Sequence, residues 1–175
     1  DLLKIIGDEK ELLEISFNKN QISIKYKDTY LVSRVIDGVF PDYKQIIPRD
    51  LKTKVVLEKE NLLRSLKIAS TLSSYTAGEI ALVLNPKDKT CTIIARSQEV
   101  GENQSTLEGE FLAGTEPITL VFNPRYLIEG LGAFTEKKIL FSANTPSSPT
   151  TFQEISNNKE AAYVYVMMPI RKEYA

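Results

Sequence analysis

Alternation of apolar and polar residues runs through most of the chain and predicts strands. Between residues 21 and 26 every second position is apolar, which is the signature of a half-buried strand. Residues 13–17 alternate in the same way, and the polar triplet at 18–20 predicts a tight turn between the two strands. The pattern predicts further strands over residues 30–36, 55–57, 80–84, 92–95, 104–112, 118–122, 139–143, 150–155 and 163–168.

Two segments follow a helical period instead. Residues 59–74 place apolar side chains on one face and polar side chains on the opposite face. A second helix is predicted to begin at Asn123-Pro124 and to end near residue 134, because Asn is a strong N-cap and Pro suits the first helical position. Gly130 and Gly132 weaken this helix, so we expect close packing there, helix on sheet.

The segment VIDGVFPDYKQIIP, residues 35–48, is apolar but bracketed by prolines, and it predicts a constrained loop without a regular element. Residues 10–41 and 137–169 share one plan of strand, turn, strand, polar turn and a final apolar strand ending at Pro. The first copy is therefore expected to end one domain. We place the boundary at the polar joint Arg49-Asp50, which gives a first part at 1–48 and a second domain at 49–175.

The composition of the chain limits the classes of protein to which it can belong. The chain has 175 residues and a formal charge of −1, so DNA contact would require positive charge segregated onto one face. No apolar run is long enough to span a membrane, and the first residues lack the features of a signal peptide. Cys91, the single cysteine, is expected to be a buried strand thiol in a reduced, cytoplasmic protein. The absence of an initiator Met favours a piece of a longer chain.

The same composition argues against catalysis. The chain has no histidine, which removes the commonest general base and metal ligand. Two Ser-x-x-Lys matches, at 16–19 and 156–159, fall where strands run into turns, whereas that spacing brings the pair together only on a helix. Three carboxylates, Asp37, Asp42 and Glu154, have no diagnostic spacing for acid–base work or a hard cation. We therefore expect no catalytic residues, metal or cofactor.

Four stretches, in order along the chain, resemble the bacterial sliding clamp, the beta subunit of DNA polymerase III. The first is the loop at 35–48, which resembles the junction between the second and third clamp domains. Two others resemble the two helices of the third domain, and the last resembles the C-terminal strand and tail. These later stretches are Ile68-Ala69-Ser70-Thr71-Leu72-Ser73, Phe122-Asn123-Pro124-Arg125-Tyr126-Leu127, and Ala161-Ala162-Tyr163 followed by Val166-Met167-Met168-Pro169-Ile170-Arg171.

The resemblance implies an α+β DNA clamp fold, with two helices packed on antiparallel sheets in each domain. The chain would be part of a three-domain subunit, with the end of the second domain at 1–48 and the third domain at 49–175. The family forms a head-to-tail homodimeric ring around duplex DNA and performs no catalysis. Thr71 and Leu72 match a dimer-interface position of the family, although Leu72 also suits plain core packing.

Affinity for DNA in such a ring need only be weak and sequence-independent. Arg64 and Lys67, on the polar face of the first helix, are the candidates for contacts with phosphates, and Arg125 is a weaker one. A solvated charged face is an equal alternative for each, because Glu60 and Glu129 lie on the same helices.

The family also receives short linear peptides in a groove between its second and third domains. Polymerases, the clamp loader and repair proteins supply these peptides. Methionine and branched side chains make an adaptable apolar pocket, and a few polar groups fix the orientation of the peptide. A buried inter-domain hinge is the alternative for the loop, and alternation predicts that either Val166 or Met167 faces the core. The matching positions are Pro41, Gln45, Ile46, Asn123, Tyr126, Val166, Met167, Met168, Pro169, Ile170 and Arg171.

The chain departs from the family pattern in three respects. Gln45 stands where well-known members carry Arg, which removes a charge-assisted contact with the peptide. The second-domain wall of the groove is not in this sequence, and residues 172–175 extend past the Arg near which members tend to end. The leading hypothesis is a processivity clamp. The alternatives are a standalone peptide-binding adaptor that never encircles DNA and, with far less support, a carboxylate-dependent enzyme.

Overall fold

The computed structural model describes residues 12–40, 42–73, 78–155 and 163–171. The chain divides into two compact units, one ending at Asp42 and the other beginning at Tyr43. This division rests on compactness alone, so the domain boundary after residue 48 stays a prediction.

The first unit contains three antiparallel strands, β1 (Glu14–Phe17), β2 (Gln21–Tyr26) and β3 (Thr29–Arg34), in the order β1-β2-β3. The predicted turn after β1 forms around Asn18, whose Oδ1 accepts hydrogen bonds from the backbone N–H groups of Asn20 and Gln21. All three predicted strands are confirmed, within two residues at their ends.

The predicted half-burial is wrong for residues 14–17, although Leu13 is half-buried. Every position of β1 is exposed, and Ile24 and Tyr26 of β2 are the buried apolar residues among the described part of this unit. β1 is an edge strand, and no described element of the unit covers either of its faces. The alternation therefore predicted the strand correctly, but it did not predict that the strand would be exposed.

The second unit contains nine strands and three helices among its described residues, and its strands form two antiparallel sheets. The five-stranded sheet has the order β12-β11-β10-β4-β8 and the four-stranded sheet the order β7-β6-β5-β9. The elements are α1 (Tyr43–Ile46), β4 (Thr53–Glu58), α2 (Lys59–Ser73), β5 (Ile80–Asn85), β6 (Thr90–Ser97), β7 (Gly101–Glu108), β8 (Glu110–Ala113), β9 (Ile118–Phe122), α3 (Pro124–Gly132), β10 (Lys138–Ala143), β11 (Thr150–Glu154) and β12 (Val164–Met167).

The core of the second unit is formed by α2, α3 and the inner faces of both sheets. Leu62 and Leu66 bury one face of α2, as the helical period predicts. The rings of Phe141 and Phe152, on adjacent strands, are stacked with centroids 4.3 Å apart. Cys91 lies in this core, where burial raises the pKa of its thiol to about 12. The expectation of a buried, unreactive strand thiol is confirmed.

Both main helices lie where the sequence predicts them. α2 is described through Ser73, and residue 74 lies outside the described residues. At the start of α3, Asn123 has extended backbone angles and its Oδ1 accepts a 2.9 Å hydrogen bond from the N–H of Arg125. Pro124 takes the first helical position, so the predicted cap is confirmed. α3 ends at Gly132, about two residues before the predicted end.

Two expectations about regular elements are wrong. The loop at 35–48 contains α1, a single helical turn, although no regular element was expected there. The single strand predicted over 104–112 is interrupted at Gly109, and its halves β7 and β8 belong to different sheets. A Cβ at Gly109 would lie 2.5 Å from Cγ2 of Val55, so the chain passes between the sheets where only glycine fits.

Among the described residues, none of the helices has both the length and the apolar character needed to cross a membrane.

Candidate functional site

The end of β9 and the start of α3 hold two of the predicted site residues. Asn123 fixes the entry into the helix, and its side-chain oxygen is engaged by the cap. Tyr126 follows in the first turn, with 53% of its surface exposed. A large amphipathic ring at this level of exposure offers both apolar area and a hydroxyl to a partner.

The C-terminal tail, residues 168–171, lies beside this junction. It leaves β12 at the edge of the five-stranded sheet, and the N–H of Ile170 donates a 2.7 Å hydrogen bond to the carbonyl of Val121 in β9. β9 is itself an edge strand, of the four-stranded sheet. The tail therefore crosses from one sheet to the other, close to Asn123.

Within the tail, exposed and buried side chains are interspersed. Met168 is 50% exposed and Arg171 is exposed, whereas Ile170 is half-buried and Pro169 is buried. The buried proline has a fixed φ, so the backbone beside the exposed Met168 is restricted. The tail presents an apolar side chain and a cation on a fixed backbone.

The structure decides which of Val166 and Met167 faces the core. Met167 belongs to the hydrophobic core, and its carbonyl accepts a buried 2.8 Å hydrogen bond from the hydroxyl of Thr150. Val166 is half-buried and pairs with Thr151 of β11. Its side chain lies on the face of β12 opposite to that of Met167. Of the two predicted peptide contacts, only Val166 therefore has its side chain turned away from the core.

Gln45 and Ile46 lie on α1, at the beginning of the same compact unit as the tail and α3. Ile46 is 50% exposed. Pro41, another predicted site residue, lies outside the described residues. The site residues described here thus come from three elements distant in sequence: α1, the start of α3 and the tail.

Sequence reasoning missed Tyr165 as part of this site. Its hydroxyl donates a 3.1 Å hydrogen bond to the carbonyl of Tyr126. Its ring lies over Gly130, where a Cβ would stand 2.4–2.7 Å from three ring atoms. The close packing expected at Gly130 is confirmed, whereas a Cβ at Gly132 would meet nothing within 4 Å. The glycine in the helix was the sequence signal, but it did not identify Tyr165 as the neighbour.

The predicted DNA-facing residues are exposed. Arg64 and Lys67 lie on the polar face of α2, which packs beside α3. On α3, Arg125 is held by Glu129 at 2.9 Å, and the hydrogen bond and charge of this carboxylate raise the pKa of the guanidinium. Glu129 thus offsets part of the charge of Arg125, whereas no salt bridge is found for Arg64 or Lys67 among the described residues.

The two predicted interface residues differ in exposure. Thr71 is exposed near the end of α2, and its hydroxyl donates a 3.3 Å hydrogen bond to the carbonyl of Lys67. Leu72 is half-buried and packs against the hydrophobic core. Leu72 therefore contributes to the core, as the alternative allowed, while part of its surface remains open.

Glu154 anchors the loop that follows α3. Its Oε1 accepts hydrogen bonds from the N–H and hydroxyl of Thr135 and from the N–H of Glu136. These bonds, first the backbone bond from Thr135, lower the pKa of Glu154. The side chain ties the end of β11 to the loop and so holds the far end of the helix that carries Tyr126. This structural role accounts for a residue that was weighed as a catalytic carboxylate.

Because the folded state lowers this pKa, the stabilisation from Glu154 is fully present above its unfolded pKa of about 4.3 and is lost as pH falls through the folded value. We expect Glu154→Gln to lower Tm at pH 7, with a difference from the parent that shrinks below about pH 4.3. Thermal unfolding between pH 7 and pH 3 measures this difference. The control is Glu136→Gln, since that side chain accepts none of these bonds. A difference that stays constant with pH would contradict this account.

Clefts also occur away from these residues. One of about 680 Å³ is lined by both sheets and by the charged residues Glu58, Lys89 and Lys138. It contains none of the predicted site residues. In the part of the chain that the structure describes, no group of three or more acidic, cysteine or histidine side chains is placed to hold a metal ion.

Two main helices packed on two antiparallel sheets, with a tail that reaches from one sheet to the other, agree with the clamp fold expected from the sequence. Residues 44–171 match the family described as DNA polymerase III beta subunit, C-terminal domain, and the chain belongs to this family. The resemblance inferred from the sequence, and the clamp fold that it implied, are confirmed.

Several relatives share this similarity. The chain is 30% identical over 170 residues to the beta sliding clamp of Synechococcus elongatus, covering 97% of this chain and 44% of the relative. It is 29% identical over 168 residues to the beta sliding clamp of Streptococcus pneumoniae, covering 95% and 43%. The chain thus spans less than half the length of these curated relatives.

Solved structures show the same relationship. The DNA polymerase III beta chain of Streptococcus pneumoniae matches with a TM-score of 0.72 and 27% identity, over 91% of this chain and 41% of that one. The DNA polymerase sliding clamp of Bacillus subtilis matches with a TM-score of 0.74 and 26% identity, over 98% and 44%.

Proposed function

We propose that this chain forms the C-terminal part of a DNA polymerase processivity factor. The whole protein would encircle duplex DNA as a homodimeric ring and would tether the replicative polymerase, the clamp loader and repair proteins. Residues 1–48 would end its second domain and 49–175 would form its third. The role is non-catalytic, requires no cofactor, and is carried out in the cytoplasm.

The observation that carries this proposal is the meeting of the tail with the start of α3. Met168 and Tyr126 are each about half exposed, and Ile170 fastens the tail to β9 beside Asn123. An exposed methionine in the tail and an exposed tyrosine at the helix start suit the apolar anchors of a short linear peptide, because methionine adapts its shape and tyrosine supplies a rigid ring. Arg171 adds a cation that can pair with a carboxylate of the peptide.

Three further groups would complete this peptide groove. Ile46 offers a half-exposed aliphatic side chain, and Val166 is partly accessible on the outer face of β12. Gln45 would provide a neutral hydrogen bond at a position where the resemblance to the family implies Arg, so we expect weaker dependence of peptide affinity on salt. Pro41 belongs to the same proposal through its matching position in the sequence.

The proposed ring requires weak, sequence-independent attraction to DNA. Arg64 and Lys67 are both exposed and lie on one side of α2, so they can face phosphates together. Arg125 would contribute less, since Glu129 is its ion-pair partner. Thr71 and Leu72, at the end of α2, would meet the first domain of the other subunit when the ring closes.

We expect the double substitution Arg64→Glu and Lys67→Glu to weaken the binding of the intact protein to duplex DNA. Because each subunit of the ring loses two phosphate contacts, the slope of log K against log salt should fall by about 2 per subunit, and affinity at low salt by at least about tenfold. Fluorescence anisotropy with a labelled duplex across a salt series measures both quantities. Peptide affinity should not change, because neither residue belongs to the groove.

Lys87→Glu with Lys89→Glu is the charge-matched control. Both lysines lie in the polar turn between β5 and β6, off the helices, so DNA affinity should fall much less for the same change in net charge. Equal losses in the two double variants would show that net charge alone matters and would contradict the helix-face assignment. A fall in peptide affinity in the Arg64→Glu and Lys67→Glu variant would also contradict the helix-face assignment.

A further inference from the structure

The strand that leads into the tail has little backbone support of its own. β12 has four residues and lies at the edge of the five-stranded sheet, where it pairs with β11 alone. A short edge strand has half the ladder bonds of a central strand, so its position depends strongly on side-chain contacts.

Tyr165, in the middle of β12, makes those contacts with α3. The Tyr165 hydroxyl donates to the carbonyl of Tyr126, and its ring occupies the space that a side chain at Gly130 would need. The ring of Phe152 lies behind the ring of Tyr165, and the centroids of these two rings are 6.4 Å apart. The ring is thus held between the helix and the sheet, and the hydroxyl is fixed to the first turn of α3.

The contact between Tyr165 and α3 joins two elements that both contribute to the proposed peptide groove. Tyr126 contributes its exposed ring from the helix, and Met168 follows Tyr165 by three residues in the tail. A change in the Tyr165 contact would therefore alter the distance between the helix start and the tail. An apolar pocket loses affinity when its walls are not held at the spacing that the ligand requires.

We propose that Tyr165 is a positioning residue, which sets the separation between the first turn of α3 and residues 168–171 and thereby tunes affinity for a short apolar peptide. This inference rests on the proposed peptide-binding function for its effect on affinity. Its effect on the tail itself is independent of that function, because the Tyr165 contacts exist without a peptide.

The test compares Tyr165→Phe, which keeps the ring and removes the hydroxyl, with Ile93→Val as a matched control. Ile93 is buried in β6, and both variants should lower Tm by about 2–4 °C. For Tyr165→Phe, the Kd for a fluorescent Gln-Leu-x-Leu-Phe peptide should rise about three- to tenfold. For Ile93→Val the Kd should not change, although the protein is equally destabilised.

Hydrogen exchange provides a readout without any peptide. The amide of Ile170 is bonded to Val121, and its exchange in Tyr165→Phe should accelerate about three- to tenfold. In Ile93→Val this amide should exchange at the parent rate. Gly130→Ala should accelerate it further, because the added methyl group displaces the ring.

The outcomes separate the two proposals. Unchanged exchange at Ile170 in Tyr165→Phe would overturn the positioning role, whatever the peptide does. Faster exchange with an unchanged Kd would show that the tail is positioned by Tyr165 but that its position does not control binding, which also overturns the inference. A parent protein that fails to bind the peptide would overturn the proposed function instead, and the exchange data would still report on the tail.

Discussion

Removing residues 168–171 from the intact protein should abolish its binding to a Gln-Leu-x-Leu-Phe peptide. The deletion takes away Met168, the exposed apolar side chain of the tail, and Arg171, its cation. It also removes Ile170 and its bond to the carbonyl of Val121. Loss of an anchor at the centre of an interface costs at least about 2 kcal/mol, and several are lost together, so affinity should fall by more than about 100-fold.

Fluorescence anisotropy or calorimetry with the peptide measures this loss. Removing residues 172–175 alone is the control, and it should leave the Kd within about twofold because the groove residues up to Arg171 remain. Tm should change little when 172–175 are removed. It should fall by about 2–4 °C when 168–171 are removed, because that deletion takes away the buried Pro169 and the bond from Ile170 to Val121, while β12 keeps its pairing with β11. The single substitution Met168→Ala should have a smaller effect, with about a tenfold rise in Kd. If the protein kept its full affinity after deletion of 168–171, the tail would not be part of the binding site.

Phe152→Ala should have the largest effect on stability. Phe152 is fully buried, and its ring stacks on Phe141 with centroids 4.3 Å apart while the ring of Tyr165 lies 6.4 Å away. Truncation removes the transfer free energy of a large ring and leaves a cavity, at a cost of about 3–5 kcal/mol. This is a large part of the roughly 5–15 kcal/mol that stabilises a typical domain.

Urea-induced unfolding followed by circular dichroism measures the change. The control is Leu112→Ala in β8 of the same sheet, where the side chain is 57% exposed and the expected change is within about 0.5 kcal/mol. Similar losses for the two variants would mean that the aromatic stack is not a central part of the core. We also expect Phe152→Ala to weaken peptide binding, because Tyr165 loses the ring that supports it.

Much of the fold could be predicted from the sequence because its signals are local. The 3.6-residue period of residues 59–74 predicted α2, and Asn123-Pro124 predicted where α3 begins. Strands were found wherever apolar and polar residues alternate. Each of these signals depends on neighbours within a few residues, so no knowledge of the tertiary structure was needed.

The candidate site was predicted less completely. Resemblance to the clamp family brought together residues from α1, α3 and the tail, which periodicity alone would never have joined. It did not distinguish Met167, in the core, from Val166, on the outer face, and it did not include Tyr165. The sequence showed that Gly130 needed a close neighbour, but the neighbour is 35 residues away along the chain.

The sequence by itself determined α2, α3, most of the strands, the buried thiol at Cys91 and the family to which the chain belongs. Only the tertiary structure decided how those strands are shared between sheets, with the change of sheet at Gly109, and which face of each strand is covered. The physical reason is that alternation marks two faces without saying what lies against either one. Burial depends on elements that are distant in sequence, and so β1 is exposed while Met167 is buried by the same kind of pattern.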